Sequence, residues 1–316
     1  MKVRVIDHDV LSIDEAKSEW QSLVKKRDRY SFFQTPQWSQ WLAETLVASE
    51  AQLVAIHFLG GVKAFLPLFS TPKRLGLRKL ESLPWGAYGG MLSADPLTAA
   101  HYQAARLAIG RLTTPVIEMT LNPLDLPAGF HSLPHIPRTT HILELGESFE
   151  RLWHSFQPRT RTAIRRAEDE GVTVRQTSHA EGVKILYKLY QEASQHWQAG
   201  VERVPQRFFE AMARNPCPQA VVWIADQKGK PVAADLMLYG KGEVQYMLGA
   251  SRRTEGKGSA PRLLISKVIE DACQRNIQYL NFGGSAGLEG VERFKTLFAA
   301  QEWPYVTLRW CGLHIR

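Results

Sequence analysis

Residues 219–258 read QAVVWIADQKGKPVAADLMLYGKGEVQYMLGASRRTEGKG. Three apolar runs, 219–226, 231–239 and 243–250, are separated by the turns Lys228-Gly229-Lys230 and Gly240-Lys241-Gly242. Each run has strand length, and a short glycine-bearing turn between two such runs joins antiparallel neighbours. A polar loop over 251–258 and a helical pattern over 259–275 follow. A strand at 277–282, a glycine-rich loop at 283–287, a helix at 288–299 and a strand at 303–310 close the chain. The order β-β-β-loop-α-β-α-β predicts an α/β (α+β) fold, a mixed and mostly antiparallel sheet flanked by helices.

Between the meander and its helix stands Arg253-Thr254-Glu255-Gly256-Lys257-Gly258, an R-x-x-G-x-G sequence. Glycines at 256 and 258 allow the backbone to approach a phosphate, and the free N–H groups of a helix start point at it. Arg253 and Lys257 add charge, and Ser259 stands at the first turn. A pyrophosphate-bearing acyl carrier such as coenzyme A suits this cradle. A dinucleotide fingerprint needs G-x-G-x-x-G inside a βαβ unit, which neither this loop nor Gly283-Gly284-Ser285-Ala286-Gly287 supplies, and a Walker A loop is absent.

Upstream, Glu147–Ser155 and Pro158–Glu170 read as helices, the second carrying Arg159, Arg161, Arg165 and Arg166. Val183, Leu186, Tyr187, Tyr190 and Trp197 trace a longer helix, and another opens at Pro205. The first half is mixed: a strand at 3–6, a helix at 12–26 and a helix opened by Thr35-Pro36. A hairpin turns at Gly60-Gly61, and a helix at 96–110 and a strand at 115–121 follow. The proline-rich segment 122–138 reads as a connector, followed by a strand at 139–145. Two domains are expected, 1–146 and 147–316, in keeping with roughly 100–200 residues per domain.

The composition is that of a globular protein, with 44% hydrophobic and 22% charged residues among 316. No run approaches the ~18 apolar residues of a membrane span, and the charged N-terminus lacks an export signal's apolar core. A cytoplasmic location is expected. The net charge of +8 suits an anionic partner: a phosphorylated cofactor, tRNA or, peripherally, an acidic membrane surface. Cys217, Cys273 and Cys311 are expected to stay free, and no histidine spacing predicts a metal.

The loop resembles motif A of the GNAT acetyltransferases, and the whole chain resembles the FemAB-like tandem-GNAT superfamily. That group includes peptidoglycan bridge-forming aminoacyltransferases and acyltransferases associated with cellulose and exopolysaccharide biosynthesis. The resemblance rests on Phe32-Phe33-Gln34-Thr35-Pro36-Gln37-Trp38, on Arg159-Thr160-Arg161 with Ile164, Ala167 and Gly171-Val172-Thr173-Val174, and on His196-Trp197 with Arg203 and Phe208-Phe209. Pro261 with Leu263-Leu264, then Phe282-Gly283-Gly284 and Arg293-Phe294-Lys295, complete it. It implies two tandem GNAT-like domains, the first on the acceptor side and the second binding the donor. Phe294 and Lys295 would lie in the catalytic channel, Lys295 stabilising an oxyanion, and Asn281 would neighbour the pantetheine arm. Gln198 stands where relatives often carry Arg, whereas the intact R-x-x-G-x-G favours acyl-CoA, acetyl-CoA or longer, over charged tRNA.

His196 is a candidate base, with Glu202, Asp235 and Glu243 as acidic candidates for the same work. Trp38, Tyr88, Arg161 and Arg203 are candidate substrate contacts. The expected activity is acyl transfer from acyl-CoA to an amine, on an amino sugar or peptide precursor of envelope or exopolysaccharide, without DNA as partner. Two other readings stand beside it: an aminoacyl-tRNA-dependent peptidoglycan-bridge transferase, and a catalytically silent binding module.

Overall fold

The computed structural model describes residues 3–72, 78–109, 116–146, 148–197, 203–252, 259–285 and 287–311. The chain separates into two compact units, one of Met1–Thr139 with Pro304–Arg316, the other of Thr140–Trp303. In chain order the first stretch carries β1 (Val5–Leu11), α1 (Ile13–Lys26), α2 (Pro36–Thr45), β2 (Glu50–Phe58) and β3 (Lys63–Pro72). It continues with β4 (Arg78–Ser82), β5 (Leu92–Ser93), α3 (Ala99–Ile109) and β6 (Val116–Thr120). Then come β7 (His135–Glu144), α4 (Phe149–Ser155), α5 (Pro158–Asp169), β8 (Val172–Thr177), α6 (Ala180–Ser194) and α7 (Gln206–Arg214). The last group is β9 (Ala220–Gln227), β10 (Lys230–Tyr239), β11 (Glu243–Ser251), α8 (Ser259–Gln274), β12 (Tyr279–Asn281), α9 (Glu289–Thr296) and β13 (Gln301–Cys311).

Local chemistry sets the helix starts. Ser12 caps α1 reciprocally with Glu15, and Thr35 accepts from the Trp38 N–H with Pro36 in the first turn of α2. The meander β9-β10-β11 forms where the turns predict it, and β2 and β3 flank the Gly60-Gly61 hairpin.

The two units repeat one topology. In the first, β1, β2, β3 and β4 run antiparallel in sequence, β6 joins β4 in parallel, and β13 pairs antiparallel with β6. In the second, β8, β9, β10 and β11 run antiparallel, β12 joins β11 in parallel, and β7 pairs antiparallel with β12. The closing strand of the first unit therefore comes from the far end of the sequence, and that of the second from just ahead of its other elements. This corrects the expected division at 146, with a second domain running to 316. Residues 142–144 of β7 belong to the second sheet, and 307–311 of β13 belong to the first.

Burial follows that assignment. Leu308 and Trp310 pack with Leu66, Ile117 and Met119 in the first unit, while Leu143 packs with Leu264, Ile269 and Phe298 in the second. Strands β4, β5 and β8 were not anticipated, and β7 begins inside the supposed connector. Pro137 lies in the part of β7 outside its register with β12.

Candidate functional site

The parallel register of β11 and β12 runs Glu243↔Tyr279, Val244↔Leu280, Gln245↔Asn281, and stops there. Strand β11 continues to Ser251, whereas the other chain turns away at Gly283, whose φ of 74° suits glycine. The Asn281 carboxamide oxygen fixes that turn, accepting from the Gly283 N–H at 2.9 Å and the Thr140 hydroxyl at 2.8 Å. On its other side β11 is bulged: Leu236 faces Leu248 but Met237 faces Tyr246, leaving Met247 extra. A bulge bends its strand and re-aims side chains. The two strands thus splay into a wedge.

A cavity of about 740 Å³ opens beside this wedge, wholly within the second unit. Asp235, Tyr246, Gly249, Phe282, Phe294 and Lys295 line its inner part. Helix α9 is held by aromatic packing, with Phe294 edge-on to Phe298 at 5.5 Å and Phe282 stacked on Phe298 at 6.1 Å. That packing carries Lys295 inward, to 3% exposure. Its ammonium donates to the Gly283 carbonyl oxygen and to Ser285 Oγ at 3.1 Å. Burial lowers its pKa to about 8, the charge of Glu292 acting the other way. His141, buried on β7, is held below the ordinary imidazole range by desolvation and then by the Lys295 charge.

Asp235 lies mid-strand in β10, 5% exposed. Its carboxyl accepts from the Tyr246 hydroxyl at 3.3 Å. Burial raises the Asp235 pKa to about 8, opposed by that hydrogen bond. Burial, then the Asp235 charge, holds Tyr246 well above the ordinary phenol range. Gly249 is the register partner of Asp235, and a Cβ there would meet Asp235 Oδ1 and Tyr246 Oη at 2.0 Å. Only glycine leaves the pair its space. At the rim, Glu192 of α6 takes a forked bond from Arg252, at 2.9 and 3.3 Å, and His196 lies exposed.

Lys295, Phe294 and His196 are thus brought together by one cavity, and Asn281 lies beneath its wedge. Ser259 is buried at the start of α8. Arg253, Gly256, Lys257, Gly258, Gln198 and Glu202 lie outside the described residues. The four substrate-contact candidates are placed otherwise. Trp38 and Tyr88 are buried in the first unit, both edge-on to Phe33. Arg161 donates to the carbonyls of His154 and Phe156 at the end of α4, and Arg203 to that of Ser194 at the end of α6. Aromatic burial and helix capping account for all four. Glu243 is buried in β11 and lines no part of this cavity. Tyr246 and Gly249 were missed, because the bulge that pairs them with Asp235 leaves no mark in a strand's alternation.

Among the described residues no helix is long and apolar enough to cross a membrane, and no cluster of His, Cys, Asp or Glu is arranged to hold a metal. Cys217 and Cys273 are free.

No curated protein matches this sequence. Residues 154–296 match the family model described as an acetyltransferase (GNAT) domain. The crystal structure of FemX is similar over 95% of this chain and 97% of its own, with TM-score 0.72 at 13% identity. A conserved protein from Bacteroides thetaiotaomicron is similar over 97% and 99%, with TM-score 0.61 at 12% identity. L-PGS from Bacillus licheniformis is similar over 93% and 91%, with TM-score 0.60 at 12% identity. At such identities the likeness is one of fold. Residues 154–296 thus carry an acetyltransferase (GNAT) domain, and the chain as a whole shares the fold of FemX.

Proposed function

We propose that the chain transfers an acyl group from a coenzyme A thioester directly to an amine. The observation that carries this reading is the wedge between β11 and β12 with the Lys295 ammonium lining its cavity. Beyond Gln245, β11 has no register partner on the β12 side among the described residues, which suits an extended pantetheine arm. The 253–258 cradle follows that strand directly in sequence and suits a pyrophosphate. Lys295 spends two of its three donors on Gly283 and Ser285, and the third serves a developing oxyanion. Positioning and this charge supply the catalysis, with no covalent enzyme intermediate.

The FemAB-like resemblance suggests an acceptor such as an amino sugar or a peptide, a precursor of envelope or exopolysaccharide, met in the cytoplasm or at a membrane surface. Calorimetric titration tests the donor. Acetyl-CoA is expected to bind, and Gly256→Glu to abolish binding. Tight binding of an aminoacyl-tRNA with none of CoA would transfer the assignment to the tRNA-dependent reaction. Unchanged cellular function in Lys295→Ala would favour the silent module.

A further inference from the structure

The oxyanion role of Lys295 leaves unused an acid and a hydroxyl in the same cavity. Asp235 is buried at mid-strand, where a carboxyl normally requires an ion pair to be tolerated. Among the described residues its recorded partner is a neutral one, the Tyr246 hydroxyl. Both side chains line the cavity, so the pair is buried from the surface yet open to whatever fills that space. Gly249, opposite, holds the space in which the two polar atoms meet. A packing site would be served better by an apolar pair.

We propose that the Asp235–Tyr246 pair is the subsite for the acceptor's nitrogen, binding a primary ammonium group and taking its proton before attack. The inference rests on the acyl-transfer reading for its direction, and it holds for either donor. In the step, the Asp235 carboxylate removes one proton from the ammonium. The freed nitrogen lone pair attacks the acyl carbonyl carbon, forming the C–N bond while the carbonyl electrons move to oxygen beside Lys295. Collapse breaks the bond to the leaving group, a thiolate when the donor is a thioester. A second nitrogen proton passes to that leaving group, and the third stays on the amide. Asp235 then returns its proton to water through the open cavity.

The charged and titratable groups that share this cavity are Tyr246 and Arg252 from β11, Lys295 from α9, and Glu192 and His196 from the α6 end. Tyr246 is the group bonded to Asp235, and its hydrogen bond favours the ionised carboxyl. Tyr246 is therefore a positioning residue with its own signature in pH.

Free-thiol release from acetyl-CoA, with glucosamine, glycinamide and n-propylamine as acceptors, gives kcat/KM against pH. Asp235→Asn is expected to lower kcat/KM by about 100-fold, the lower range for a lost general base, and to replace the parent's ascending limb by one that follows each acceptor amine's own pKa. Tyr246→Phe is expected to keep that limb and move it to higher pH. An Asp235→Asn enzyme whose ascending limb stays where the parent's is with all three amines overturns the proposal, whatever its rate. A measurement free of turnover uses ¹³C-carboxyl-labelled Asp in the full chain, the Asp235 signal being the one missing from Asp235→Asn. Propylammonium chloride is expected to lower the Asp235 midpoint, and a midpoint it does not move overturns the proposal. Absence of turnover with every amine while the midpoint moves counts against the CoA donor, not against this subsite.

Discussion

The charge on Lys295 is a balance between burial, which removes it, and the carboxylate of Glu292, which retains it. An oxyanion needs the cation, so activity is expected to fall as pH rises through about 8, where this lysine loses its proton. Lys295→Arg is expected to move the descending limb of kcat upward, because a guanidinium stays charged. Lys295→Met is expected to cost about 10²–10³-fold in kcat, as for one lost oxyanion donor. Rate–pH profiles of the two variants check both outcomes. Lys295 was legible only through the resemblance, since the local sequence Arg293-Phe294-Lys295 is equally that of a solvated helix face. The burial of Trp38 and Tyr88 was not legible, because the Phe33 ring that takes both of them up is brought there by tertiary packing.

Among the elements, β11 concentrates the site: its register with β12 ends early, and its bulge brings Tyr246 to Asp235 across from Gly249. Gly249→Ala would force the Asp235 and Tyr246 side chains aside, and overpacking of this kind costs about 1–3 kcal/mol. A urea midpoint below the parent's, together with loss of the ascending pH limb, is the expected outcome. The Glu192–Arg252 pair is partly exposed, and Glu192→Ala is expected to change stability by less than about 1 kcal/mol in the same titration. The meander was legible because its strands are apolar runs cut by glycine turns. Strand β8 was not: in Val172–Thr177 only Val172 is buried, so an edge strand shows no alternation to read. β4, paired on both sides, hid because Leu80 is the single apolar residue of Arg78–Ser82.

Taken over the whole molecule, the buried acid and the buried amine make stability depend on pH in opposite senses. Asp235 ionises at about 8 in the fold, against 3.8 for a free aspartate side chain. Between those values the native state holds the extra proton, so stability falls as pH rises. Lys295 titrates at about 8 in the fold, against 10.5. Between 8 and 10.5 the unfolded chain holds the extra proton, so stability climbs again. The second unit is therefore expected to be least stable near pH 8, and Asp235→Asn to flatten the acid side of the trough, as read from denaturant midpoints at pH 5, 8 and 10. Where catalysis is most active, the scaffold is weakest.

The closing strands bear on a different matter, the order in which the chain is born. Leu308 and Trp310, among the last described residues, fill the core of the unit that contains the first. On a ribosome the early residues emerge with that core incomplete, while 140–303 is one uninterrupted piece that needs no later strand. The unit translated first is the one finished last, and a chain ending at residue 303 would keep the second unit whole while its N-terminal unit still lacked the final strand.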